Sequence, residues 1–193
     1  MLMKVIGING SAREDGNTAI IMHAVLDELE KHGIETEQIQ LAGSVIEPCR
    51  GCFACKGRGN CVFKNDAFCA VFEKMVAADG ILLGSPVYSA DVTSTMKAFL
   101  ERSGVVVATN PGLLRHKVGA SVAAVRRAGG MTTVDTMNHF LLNKEVIVAG
   151  SIYWNMVYGK AIGDVLKDEE GMQNMHNLGE NMAWIINAIW KKI

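Results

Sequence analysis

Four of the chain's five cysteines fall in one short stretch, EPCRGCFACKGRGNC, residues 47–61, with Cys49, Cys52, Cys55 and Cys61 spaced C-x2-C-x2-C-x5-C. Thiolate is a soft ligand suited to iron–sulfur clusters and to zinc. Three cysteines at successive two-residue intervals match the spacing of cluster-binding runs more than the paired knuckles of a zinc site, and the fourth, Cys61, would close a single [4Fe–4S] set. Gly51, Gly57 and Gly59 give the loop freedom to wrap a compact inorganic core, and Arg50, Lys56, Arg58 and Lys64 would offset the charge of four thiolates. Zinc and free, redox-active thiols stay open as alternatives. The fifth cysteine, Cys69, lies in the helical apolar pattern DAFCAVFEKM and reads as core.

The compartment bears on that choice. The segment MLMKVIGING has no apolar stretch followed by a small-residue cleavage site, and no apolar run approaches the roughly 18 residues that a membrane span needs. A cytoplasmic protein with no membrane partner is expected, and in a reducing compartment clustered cysteines are metal ligands or redox groups rather than structural bridges. A formal charge of -1 offers no field for a phosphate backbone, so nucleic acid is not an expected partner. With 193 residues, 49% hydrophobic and 20% charged, the chain reads as one domain over 1–193 carrying a cysteine-rich loop at 47–65.

The elements that must position these residues alternate. β-Branched runs at 3–9, 35–41, 80–86, 117–125 and 144–151 read as strands. Apolar patterns of helical period occupy 18–33, 66–80, 93–104 (ended by Gly104), 132–144 and 175–190. Strands separated by helices imply a five-stranded parallel sheet between helical layers, an α/β three-layer sandwich. The flavodoxin-like order 2-1-3-4-5 is the common solution, and it places a ligand outside the carboxyl ends of strands 1, 3 and 4.

Three loops fall at that edge. GSAREDGNT (10–18) enters a helix, where backbone N–H groups and the side chains of Ser11, Asn17 and Thr18 suit a phosphate held without a lysine; the stretch is neither a Walker A sequence nor a G-x-G-x-x-G fingerprint. GSPVYSADVTST (84–95) is stiffened by Pro86, so that Tyr88 can stand as a wall for a flat aromatic ligand or pack over the sheet edge. In RRAGG (126–130), Gly129 and Gly130 permit a ring to approach the backbone, while Arg126 and Arg127 could meet electron-rich oxygens or water. Phosphate cradle, aromatic clamp and close-approach glycines together match FMN better than a dinucleotide.

The stretches GSAREDGNTA, GSPVYSADVTSTMKAFLER, AVRRAGG and the late YWNM, GDVLKDEEGM and NLGENMAW resemble the NAD(P)H-dependent FMN reductase and iron–sulfur flavoprotein family over nearly the whole chain. The cysteine spacing is similar to that of the iron–sulfur branch. The resemblance implies a flavodoxin-like fold and FMN-dependent oxidoreductase activity. It places the FMN phosphate at Ser11, Arg13, Asn17 and Thr18, and the ring at Pro86, Val87, Tyr88 and Ser89 and at Ala128, Gly129 and Gly130. It also implies a homodimer or homotetramer, and a ferredoxin-like protein or NAD(P)H as electron partner. Two other readings compete: a cluster-free NAD(P)H-dependent reductase of FMN or quinone, and a zinc-stabilised binding module without catalysis.

Elsewhere the five histidines show no ligand spacing among themselves, and KDEEG (167–171) reads as an acidic helix start. Tyr153, Trp154 and Tyr158 are expected to cover the flavin edge, a subunit interface or core. Met175, Leu178, Met182, Ile185 and Ile189 mark one helix face, either core or interface.

Overall fold

The computed structural model describes residues 2–190. Strands β1 (Lys4–Asn9), β2 (Glu35–Gln40), β3 (Gly80–Pro86), β4 (Val118–Val125), β5 (Ile147–Val148) and β6 (Met156–Tyr158) form one sheet in the order β2-β1-β3-β4-β5, with β6 also on β4 and every pair parallel. This is the flavodoxin-like order. Alternate residues of the central strands serve opposite faces, so Ile6, Ile8, Ile81 and Leu83 enter one core while Val5, Leu82, Val118 and Val122 enter the other.

Helices α1 (Asn17–Lys31) and α5 (Glu169–Trp190) cover the second of these faces, with Ile21, Met22, Leu26, Met175, Leu178, Met182 and Ile186 fully or almost fully buried. The face of α5 expected from its apolar spacing is therefore core at Met175, Leu178 and Met182, and Ile185 and Ile189 pack partly buried against it. The other face carries α2 (Phe68–Ala77), α3 (Ser94–Thr109) and α4 (Gly130–Asn143), packed through Phe68, Phe72, Met75, Phe99 and Met137. Among the described residues no helix is long and apolar enough to cross a membrane.

Three boundaries differ from the sequence expectation. Helix α3 runs through Gly104 to Thr109, because Val106 and Val107 beyond it are buried in the core, and their burial outweighs the roughly 1 kcal/mol that a helical glycine costs. Helix α5 begins at Glu169, so the acidic pair Glu169 and Glu170 forms its first turn, where the helix dipole favours negative charge. The last strand, expected over 144–151, is shorter, and a sixth strand not expected from the sequence follows it. Ile147 and Val148 pair with Val118 and Gly119, the chain leaves the sheet, and Met156 to Tyr158 return to pair with Ala123 to Val125.

Candidate functional site

The loop after β1 turns sharply. Ser11 is buried, its N–H bonds to Asn9 Oδ1 at 2.9 Å, and its hydroxyl accepts from the Arg13 N–H at 3.0 Å. Gly16 then caps α1 without a side chain, leaving first-turn N–H groups open to an anion. Thr18 Oγ1 is buried there without a hydrogen-bond partner, an orphan of the kind a bound group satisfies.

Ser11, Arg13, Asn17 and Thr18 share one cavity with Pro86, Val87 and Tyr88, about 630 Å³ with its mouth included. The sheet brings the two loops together, because β1 and β3 are hydrogen-bonded neighbours in parallel register. Arg126 also lines this cavity; Arg127 does not. Ser89, Ala128, Gly129 and Gly130 stand outside its immediate lining.

Gly129 nevertheless presses on the cavity wall from behind. Its φ is +84°, and a Cβ there would fall 2.8 Å from both Ala90 Cα and Val87 Cγ1. The segment it abuts is a tight turn in which Tyr88 and Asp91 exchange backbone hydrogen bonds at 2.8 and 3.0 Å, with Ser89 (φ +50°) and Ala90 (φ +62°) both left-handed. Two such non-glycine residues together are backbone strain, which persists only where the surroundings hold it. Asp91 is one such anchor. Burial works against its charge, yet the Thr136 hydroxyl and the Val92 N–H hold its carboxyl below the usual range.

Two features of this cavity were not read from the sequence. Lys160 and Gly159 line it, carried to the edge by β6, which lies beyond the last strand expected from the sequence. Asn17 uses its carboxamide on that same segment, donating to Ala161 O and accepting from the Gly163 N–H, both at 2.8 Å. The side chain assigned to the phosphate thus also clamps the loop that delivers Lys160.

The cysteine loop is built differently. Between Gln40 and Phe68 the chain forms no helix or strand, a stretch well beyond the roughly 12–15 residues at which a structureless loop calls for a functional reason. All five cysteines are free, and Cys49, Cys52, Cys55 and Cys61 line one small cavity. Gly51, Gly57 and Gly59 all have positive φ, as does Phe53. Among the described residues no three His, Cys, Asp or Glu side chains converge on one point that could hold a metal ion. The sulfurs do have donors: the Gly51 N–H lies 3.4 Å from Cys49 Sγ, and Arg102 Nε lies 3.2 Å from Cys61 Sγ. Donors of this kind surround the sulfurs of thiolate-held groups, so the residues present fit one.

Helix α3 anchors this loop from its C-terminal half. Thr109 Oγ1 stands 3.3 Å from Cys55 Sγ, and Asn110 donates to Cys55 O at 3.0 Å while accepting from the Gly59 N–H at 2.9 Å. Arg102 and Asp66, both buried, pair at 2.5 Å. Burial opposes the Asp66 charge, but the Glu47 N–H and the Arg102 guanidinium hold its carboxyl below the usual range. Neither residue was singled out from the sequence. At the other end of α3, the Thr93 hydroxyl donates to Gly10 O at 2.7 Å and its backbone N–H donates to Ser85 Oγ at 3.1 Å. One helix thus touches both regions, with Thr93 and Arg102 about 14 Å apart along its axis. Cys69 is buried as expected, its thiol directed at Cys61 O and Phe63 O, and burial pushes its pKa up.

Comparison with known proteins bears on family and fold. The family model described as NADPH-dependent FMN reductase matches residues 3–161. An iron–sulfur flavoprotein of Methanocaldococcus jannaschii is 40% identical over 98% of this chain and 100% of its own length, and one from Methanosarcina thermophila is 30% identical over 98% of each. Among solved structures, RosB with a bound intermediate superposes with a TM-score of 0.80 at 16% identity, over 98% of this chain and 81% of that one. A flavodoxin from the domain Archaea gives 0.62 at 16% identity, over 96% and 99%. The structural likenesses establish the flavodoxin-like fold, and the sequence matches go further: the chain belongs to the NADPH-dependent FMN reductase and iron–sulfur flavoprotein family.

Proposed function

We propose that the chain is an FMN-dependent oxidoreductase whose cysteine loop holds a [4Fe–4S] cluster that exchanges single electrons with the flavin. The observation that carries this reading is the gathering of Cys49, Cys52, Cys55 and Cys61 around one cavity, in a chain of the FMN reductase family. Four cysteines on one cavity would supply one thiolate to each iron of a single [4Fe–4S] cluster. FMN supplies one- and two-electron chemistry when bound, and a cluster supplies single-electron transfer.

The chain's own residues bind and orient. Ser11, Thr18, Asn17 and the first turn of α1 hold the phosphate, with Arg13, Arg126 and Lys160 as counter-charges. Pro86, Val87, Tyr88 and Ser89 bound the ring on one side, and Ala128, Gly129 and Gly130 let it approach the backbone. The electron partner is a ferredoxin-like protein or NAD(P)H. From Pro48 to Asn65 the loop carries Arg50, Lys56, Arg58 and Lys64 and no acidic residue, which favours an acidic protein surface docking over the exposed Cys52. Exposed Ile152, Tyr153, Trp154 and Leu166 support a homodimer or homotetramer.

The test is flavin, iron, acid-labile sulfide and zinc content of protein purified without oxygen. About four irons and four sulfides per FMN are expected. FMN without metal would replace this reading with a cluster-free NAD(P)H-dependent reductase, which the family match also accommodates. One zinc and no flavin would make the chain a zinc-stabilised binding module.

A further inference from the structure

A buried cation must be matched by what surrounds it, because taking it out of water costs several kcal/mol even after relaxation. Arg102 on α3 is 3% exposed, and its surroundings are almost entirely the cysteine loop. Nη1 meets Asp66 Oδ2 at 2.5 Å and Glu47 O at 3.3 Å, Nη2 donates to Phe63 O at 2.6 Å, and Nε points at Cys61 Sγ at 3.2 Å. The guanidinium also lies 4.3 Å from the Phe68 ring centroid. A fork of fixed geometry therefore ties together the start of the loop, its last cysteine and its end. Asp66 would suffice for a charge pair. Turning Nε onto a sulfur, a weak acceptor when neutral, is what a simple charge pair does not require.

We infer that Arg102 is a positioning residue of the cysteine loop: it fixes where Cys61 stands and gives that sulfur its N–H donor. Its consequence for a bound cluster rests on the proposed function, but the contact itself does not. Hydrogen bonds to ligand sulfurs draw off electron density and raise a cluster's reduction potential, so loss of the donor moves the potential negative.

The experiment compares wild type with Arg102→Lys, Arg102→Gln and Asp66→Asn. Hydrogen exchange over 47–66 is measured on the metal-free, reduced chain. Iron retention against a chelator and the cluster's midpoint potential are measured on the loaded protein. We expect faster exchange confined to 47–66 in all three variants. Iron should be lost at about 10–100-fold lower chelator concentration, and the potential of any retained cluster should fall in the two Arg102 variants. Arg102→Lys keeps the charge and removes the fork, so it carries the test if the Gln variant does not fold. Exchange, iron retention and potential all unchanged in Arg102→Lys would overturn the inference, since charge alone would then suffice. If wild type holds no iron and exchange still rises, the cluster reading fails and the positioning role stands.

Discussion

The two candidate sites are held by opposite means. The proposed flavin cavity lies at the carboxyl edge of a parallel sheet, where the register of β1, β3 and β4 fixes the backbone of the loops that line it. The cysteine loop has no strand or helix of its own and is placed by side chains of α3, chiefly Arg102, Thr109 and Asn110. A backbone-built site tolerates side-chain change at many positions and fails where the backbone itself is forced. A site hung on a few side chains fails wherever one of them is lost. Changes at one site are therefore expected to leave the other intact.

The largest separation should come from Cys52→Ala, which is expected to abolish cluster assembly while FMN stays bound. Iron, sulfide and flavin analysis of the same preparation checks this, and joint loss of both groups would break the comparison.

Next in size is Asp66→Asn. Removing one partner of a buried ion pair costs about 3–5 kcal/mol, and calorimetry or hydrogen exchange should localise the loss to the cysteine loop. Acid should imitate it. Because the folded-state pKa of Asp66 is depressed, its pair contributes stability that is fully present above the ordinary aspartate value near pH 4 and is lost as pH falls through the lowered folded value. Protection from exchange in 47–66, taken relative to the intrinsic rate at each pH, should fall only below about pH 4.

On the flavin side, Gly129→Ala places a side chain at φ +84° and a Cβ 2.8 Å from Ala90 Cα, a backbone atom that cannot turn aside. A cost of about 1–3 kcal/mol, read as roughly 5–150-fold loss of FMN affinity by fluorescence titration, is expected, with iron content unchanged. The smallest effect belongs to Thr18→Val. Its hydroxyl has no partner within the chain, so the flavin-free protein should melt no lower than wild type, while FMN affinity should fall by about 1 kcal/mol, roughly fivefold.

Much of this was legible in the sequence. Period-two and period-3.6 patterns placed the strands and helices, and a rule about strand order then pointed to three loops. The expectation failed where burial overrode local signals, as at Gly104, and where a three-residue strand, Met156–Tyr158, was too short to show a period. Lys160 was missed for that second reason. Arg102 was missed because an arginine in FLERSG looks like any solvated helix charge; nothing local says that it turns inward.

The sequence by itself determined the alternating architecture, the three edge loops and the cysteine spacing, because each is written in residue type at short range. Only the tertiary structure decided which distant groups meet: Arg102 with Cys61 and Asp66, Asn17 with the 161–163 backbone, and Gly129 with Ala90. Those contacts depend on how helices and loops pack across the sheet, and that packing is settled by the whole core rather than by any one segment.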